Sequence, residues 1–188
     1  MEIILPDGSK KILEEGATVY DVAASIGTSL AKAALAGKIN GELVDVTAQV
    51  TDGATIEIIT NKGPEALSIM RHSCAHIMAE VVQELFPGAQ IAFGPATDNG
   101  YFYDFELPKN ISSDDFAAIE KKMAQIVKRN EPFVREVVSV EEAKEIFADQ
   151  RFKLEHIDDL TEGEISVYRH GSFVDLCAGC LLYTSPSP

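Results

Sequence analysis

Three cysteines in 188 residues are too few for a disulfide scaffold, and positions 74, 177 and 180 are too unevenly spaced. Their scarcity fits a reducing compartment, and a cytoplasmic location is expected. No run of about 18 apolar residues is present, which excludes a transmembrane helix and predicts no membrane partner. The opening MEIILPDGSKK lacks the basic start and apolar centre of an export signal. Positive charge is also short: 16 Lys and Arg stand against 30 Asp and Glu, for a net charge of −14. Residues 1–63 carry 5 basic and 9 acidic side chains, and residues 64–188 carry 11 and 21. A protein that grips phosphates through counterion release shows a basic face. The charge therefore argues against general nucleic-acid binding. A nucleic-acid substrate would be held locally, or mostly by another part of a larger protein.

What is present is a 46% apolar composition with room for one large or two small domains. The pattern predicts an α+β chain with a compact β-rich unit over residues 1–63. Residues 2–5 and 10–13 read as strands joined by the turn Pro6-Asp7-Gly8-Ser9. Thr18 caps a helix, with Asp21 in capping-box position and Gly27 as its stop. A short Ala-rich segment covers residues 29–36. A hairpin turns at Asn40-Gly41, and a last strand covers residues 54–59. Hairpin, helix and further short strands are the order of a ubiquitin-like β-grasp sheet.

Asn61-Lys62-Gly63-Pro64 breaks the sheet and opens a helix over residues 64–86. Leu67, Met70, Cys74, Ile77, Met78, Val81 and Leu85 form its apolar stripe, and His72 and His76 fall on the opposite side. A core histidine would lie on the stripe, so this pair is expected to face away from the core. Two imidazoles at i and i+4 can share a metal ion or a bound water, although a lone HxxxH also occurs as two solvated surface residues.

Residues 91–96 read as a strand, Asp98-Asn99-Gly100 as a turn and residues 101–107 as the returning strand, with Tyr101, Tyr103, Phe105 and Leu107 on one face. Ser112 or Ser113 caps a helix to about residue 130, with Phe116, Ile119, Met123, Ile126 and Val127 as its core stripe. A strand over 133–138, a helix from the Ser139/Glu142 capping box to about residue 148, a short element over 152–157 and a hairpin over 165–177 complete the unit. Its sheet is expected to be mixed or antiparallel and packed by helices. No internal repeat is visible. Residues 180–188 have no periodic pattern and end as a Ser-Pro run, which reads as a flexible tail.

Several residues have plain readings. Lys153 among apolar neighbours reads as an exposed strand charge, Tyr103 as packing, and Cys177 as a small buried hydrophobe. Cys74 belongs to the core, and His156 and His170 receive no role. His72, His76, Cys177 and Cys180 together also look like a zinc site of two His and a C-x-x-C.

The segments LPDGS, GATVYDVA, AALAGKINGELVDV and DGATIEIIT resemble a TGS domain, a module of threonyl-tRNA synthetases and of some GTPases and stringent-response enzymes. RHSCAHIMAEVV, IAFGPATDNGYFYDFEL and FVDLC follow in order and resemble the editing domain of threonyl-tRNA synthetase, a fold shared with the alanyl enzyme's editing domain. The resemblance covers residues 1–179, divided as a TGS domain over 1–63 and an editing domain over 64–179. It implies a pocket of His72, His76, Tyr103, Lys153, Asp175 and Cys177. The family motif continues Asp-x-Cys-x-Gly-Pro-His, whereas Cys180 and Leu181 stand at its last two positions. The expectation is that residues 180–188 are not family sequence and that the chain is a C-terminally truncated N-terminal part.

The chemistry so implied is hydrolysis of seryl-tRNA(Thr) at the acceptor end. Serine lacks one methyl group of threonine, a difference worth only ~1–3 kcal/mol, so selection needs a second, hydrolytic site. His72 would position water or act as general base, and Lys153 would share that work or stabilise the oxyanion. Asp175 would hold the substrate ammonium, Tyr103 would line the pocket or bind the terminal adenosine, and His76 and Cys177 would shape it. No cofactor is required for this editing. Zinc on His72, His76 and Cys177 is an alternative, with the fourth ligand absent or supplied by Cys180. ATP binding and aminoacylation are not expected. Homodimerisation would run through domains outside this chain. A freestanding trans-editing factor and a non-catalytic tRNA- or protein-interaction module are the competing readings.

Overall fold

The computed structural model describes residues 1–160 and 165–183. The chain divides into two compact units, one of Met1–Met70 with Gly179–Tyr183 and one built on Arg71–Ala178. Both are α+β with small antiparallel sheets, and six helices occur among the described residues. No helix there is long and apolar enough to cross a membrane.

In the first unit β1 (Glu2–Ile4) and β2 (Lys10–Ile12) pair antiparallel, with Ile3 opposite Lys11. Helix α1 (Val19–Ile26) starts where expected. The Thr18 hydroxyl accepts from the Asp21 N–H at 3.2 Å, and the Asp21 carboxylate accepts from the Thr18 N–H at 2.8 Å. After α2 (Thr28–Ala33) come β3 (Ala34–Ile39), β4 (Glu42–Val44) and β5 (Ile56–Thr60), in sheet order β4-β3-β5. The β3–β4 turn needs positive φ at both central residues, and Asn40 (52°) and Gly41 (90°) supply it. A parallel bridge between Ile4 and Thr55 ties β1 to the segment entering β5, which completes a β-grasp arrangement. Helix α1 lies on β3 so closely that a Cβ on Gly37 would sit 2.5 Å from Val19 Cγ1. Ile3, Val19, Val22, Val50, Ala54 and Ile56 form the core beneath it.

The Ala-rich segment is helical only as far as Ala33, because pairing of Ala34 and Ala36 with β5 overrides alanine's helical preference. One expectation fails in this unit. Residues 180–183 are not a flexible tail. Leu181 and Leu182 are buried, Leu182 packs with Ala36, Ile59 and Ile69, and the Leu181 N–H donates to Asp45 Oδ1 at 3.1 Å. Residues 184–188 lie outside the described residues.

The second unit takes most of α3 (Ala66–Leu85), followed by the short strands β6 (Gln90–Ile91), β7 (Ala96–Thr97), β8 (Gly100–Tyr101) and β9 (Phe105–Glu106). Helix α4 (Ser113–Arg129), β10 (Val134–Val138), α5 (Val140–Ile146), α6 (Arg151–Asp159), β11 (Ile165–His170) and β12 (Phe173–Leu176) complete it. Strands β10, β11 and β12 form one antiparallel sheet, in which Tyr168 faces Asp175 and His170 faces Phe173. Alternation along it sorts the side chains. Ile165, Val167 and Leu176 pack with Ala143 and Phe147 near α5 and with Ile157 of α6. Phe173 packs with Ala75 and Ala79 of α3 and with Tyr103.

Further corrections follow from local chemistry. The expected strands over 91–96 and 101–107 are each broken, because Gly94 passes against the 102–103 backbone: a Cβ there would lie 2.1 Å from the Phe102 carbonyl oxygen. Phe116 is 56% exposed, and of its expected stripe only Ile126 is buried. Residues 152–157 are helical and Lys153 is 1% exposed, so it is neither a strand residue nor a surface charge.

Candidate functional site

Helix α3 presents His72 and His76 one turn apart, but the helix is covered on more than one side. Leu67, from the expected stripe, is 50% exposed, whereas His76 is 4% exposed. The small side chains of Ala75 and Ala79 on the histidine side admit Phe173 of the β11–β12 hairpin. The pair does not face away from the core: His76 is part of it and His72 is half-buried.

The hairpin brings Asp175 and Cys177 to this face, and α6 brings Lys153. Asp175 Oδ2 lies 2.8 Å from His76 Nδ1 and accepts a 2.5 Å hydrogen bond from the Tyr103 hydroxyl. Asp175 Oδ1 lies 2.7 Å from Lys153 Nζ, which also donates to the Tyr103 oxygen at 3.2 Å. The other side of the Lys153 ammonium faces the Phe93 ring, 4.2 Å from its centroid. His76 Nε2 is 3.1 Å from His72 Nε2, which is 3.5 Å from Cys177 Sγ. All six side chains named from the sequence thus meet in one cluster. Cys180 belongs to the first unit, where it packs near Ala36, Ile59 and Leu182.

Burial and charge oppose each other here. Burial pushes the Asp175 carboxyl up, but His76 and then Lys153 outweigh it and hold the group at about 2. Burial likewise disfavours protonated His76, yet its contacts with Asp175 and Cys177 raise it to about 9. The Cys177 thiol, raised by burial, is brought down to about 6 by hydrogen bonds and charge from His72 and His76. Burial first, then the Asp175 charge and hydrogen bond, push the Tyr103 phenol well above its ordinary range, so it stays a donor. At neutral pH the cluster pairs two cations, Lys153 and His76, with two anions, Asp175 and Cys177.

His72 Nε2, His76 Nε2 and Cys177 Sγ also form a ligand set, with ligand atoms of the three residues all within 4.8 Å of one another. Tetrahedral zinc with bonds of about 2.0–2.3 Å would place its ligands about 3.3–3.7 Å apart, and His72 Nε2 lies 3.1 Å from His76 Nε2 and 3.5 Å from Cys177 Sγ. Asp175 behind His76 is the carboxylate partner that orients a metal-binding imidazole. The residues present fit three protein ligands and an open fourth position.

Three residues next to the site had no role in the sequence reading. Phe93 covers Lys153, Gly94 admits Tyr103, and buried Glu80 meets His170, with Oε2 2.6 Å from Nδ1. Glu80 was findable, since it continues the i, i+4 series of His72 and His76 along the helix.

Residues 1–60 match the TGS domain family. Nearly the whole chain is similar to the N-terminal region of threonine–tRNA ligase. The enzyme of Pelobacter propionicus is 46% identical over 181 residues, covering 95% of this chain and 28% of the relative. That of Staphylococcus aureus (strain JH9) is 46% identical over 180 residues, with the same two shares. The chain therefore spans just over a quarter of the length of these relatives.

Proposed function

We propose that the cluster of His72, His76, Tyr103, Lys153, Asp175 and Cys177 is an editing site that hydrolyses seryl-tRNA(Thr), and that residues 64–179 form the corresponding domain. The observation that carries this reading is the buried, charge-balanced network about Asp175, which borders the half-buried His72. A network of this cost has little purpose as packing, and perturbed groups of this kind concentrate at functional sites.

In the reaction, water adds to the ester carbonyl of the seryl group, and the tetrahedral oxyanion then expels the terminal ribose hydroxyl to leave free serine. His72 Nε2 lies beside the Cys177 sulfur and donates its hydrogen to the thiolate, which leaves the ring's lone pair on Nδ1, where a water proton can be accepted. Lys153, held by Asp175 and Tyr103, is a fixed positive charge for the oxyanion. Both Asp175 oxygens are already engaged, so Asp175 acts chiefly by holding Lys153 and His76, and it attracts the substrate ammonium through its charge. Tyr103 lines the pocket. The tRNA acceptor end is the proposed partner and the cytoplasm the proposed location.

Deacylation of seryl-tRNA(Thr) by the chain tests this. His72→Ala and Lys153→Ala are each expected to lower the rate about 100-fold or more. Equal rates in wild type and both variants would reject the assignments. TRNA binding without hydrolysis would favour a non-catalytic module.

A metal-assisted site is the second reading, favoured by the spacing of the three ligand atoms. His72, His76 and Cys177 would hold zinc, which supplies Lewis-acid polarisation and a more acidic bound water when present.

A further inference from the structure

Among the described residues, buried polar links join α3 to the β11–β12 hairpin. One is His76–Asp175, within the site. A second is Glu80–His170. Glu80 Oε2 lies 2.6 Å from His170 Nδ1, and both side chains are buried. The His170 ring stacks on Phe133 with centroids 4.3 Å apart, and Arg129 Nη1 lies 3.8 Å from the second Glu80 oxygen.

The spacing of the two links is matched. Four helical residues separate His76 from Glu80, a rise of about 6 Å. On the hairpin, Asp175 pairs across the strands with Tyr168, two residues from His170, a span of about 6.8 Å. Alternation places Asp175 and His170 on the hairpin face that carries Phe173 toward Ala75 and Ala79. Apolar contact with two alanines resists sliding weakly, because small smooth side chains interlock little. A second directional bond one helical turn along removes that freedom and fixes the helix in both translation and rotation.

We infer that Glu80 and His170 are positioning residues that set the register of α3 against the β11–β12 hairpin, and thereby hold His72 and His76 opposite Asp175 and Cys177. This rests on the hydrolytic reading for its catalytic consequence, though not for its geometric one. A shift of about 1 Å between the two elements suffices to misplace His72 and cost about 100-fold in rate. A carboxylate only accepts, so Nδ1 of His170 carries the shared hydrogen, and a glutamine oxygen at position 80 can accept it equally.

The test uses the full 188-residue chain. In seryl-tRNA(Thr) deacylation, Glu80→Ala is expected to lower kcat about 10- to 100-fold with KM within about twofold, and Glu80→Gln to restore most of kcat. The second readout is the ring resonances of His72 and His76 in histidine-labelled protein. They should move in Glu80→Ala and return toward the wild-type positions in Glu80→Gln. If Glu80→Ala does not fold, Glu80→Asp retracts the carboxylate by one methylene and should move the same resonances. Unmoved resonances in a folded Ala or Asp variant, or an equal loss of kcat in Glu80→Gln, would overturn the inference. A wild-type chain that does not deacylate would defeat the functional reading, and the resonances would still decide the positioning role.

Discussion

Tyr103 and Asp175, 72 positions apart in the chain, are joined by a buried 2.5 Å hydrogen bond. The same carboxylate meets Lys153 and His76, so four segments of the second unit depend on one side chain. Tyr103→Phe should destabilise the unit by about 1–3 kcal/mol in urea unfolding, by removing one donor to a buried charge. Asp175→Ala should cost about 3–5 kcal/mol, because it leaves Lys153 buried without its counter-charge. Lys153→Met combined with Asp175→Leu should cost less than the sum of the two single changes, since neither partner is then stranded.

The pH dependence follows from the signs of three shifts. Asp175 is held at about 2, below its unfolded value of about 3.9. Its contribution is therefore present above about pH 3.9 and is lost as pH falls toward 2. His76 is raised to about 9 from about 6.5, so its contribution is complete below pH 6.5 and is lost as pH rises through 9. Cys177, lowered to about 6, does the reverse: its contribution is complete only above its unfolded value of about 8.5 and fades as pH falls through 6. The His76 and Cys177 terms offset each other between about pH 6.5 and 8.5. Chemical denaturation across pH should show a broad plateau there for the wild type and a decline with rising pH in Cys177→Ala. The same decline in wild type would contradict the pairing.

Gly94→Ala should perturb the site without touching a charged group. The added Cβ would lie 2.6 Å from both Cα and Cδ2 of Tyr103, and backbone there cannot yield cheaply. A loss of about 1–3 kcal/mol in thermal or urea unfolding is expected, with a larger fractional loss of deacylation than of stability.

Cobalt(II), a spectroscopic stand-in for zinc, tests the metal reading. Sulfur-to-metal absorption should appear in wild type and in Cys180→Ala and be absent in Cys177→Ala, since among the described residues Cys177 is the cysteine grouped with the two histidines. Absorption that depends on Cys180 would restore the C-x-x-C ligand set suggested by the sequence.

Much of the first unit was legible in local chemistry. The Thr18/Asp21 capping box, the Gly27 stop and the Asn40-Gly41 turn depend on residues within four positions of one another. The end of α2 was not legible, because pairing of Ala34 with Thr60, a distant partner, decides it. In the second unit His72 and His76 were legible as a pair from their spacing. Their burial was not, because it depends on which element covers the far side of α3.

The sequence by itself determined the caps, the turns, the helical phase that puts His72 and His76 together, and the acidic net charge. Each of these follows from interactions along a few residues or from composition. Only the tertiary structure decided that Lys153 is a buried helical cation rather than an exposed strand charge, and that residues 180–183 are packed. It also decided that Glu80 and His170 pair. Those outcomes turn on what covers a side chain, and the covering residues come from segments tens of positions away that no local pattern specifies.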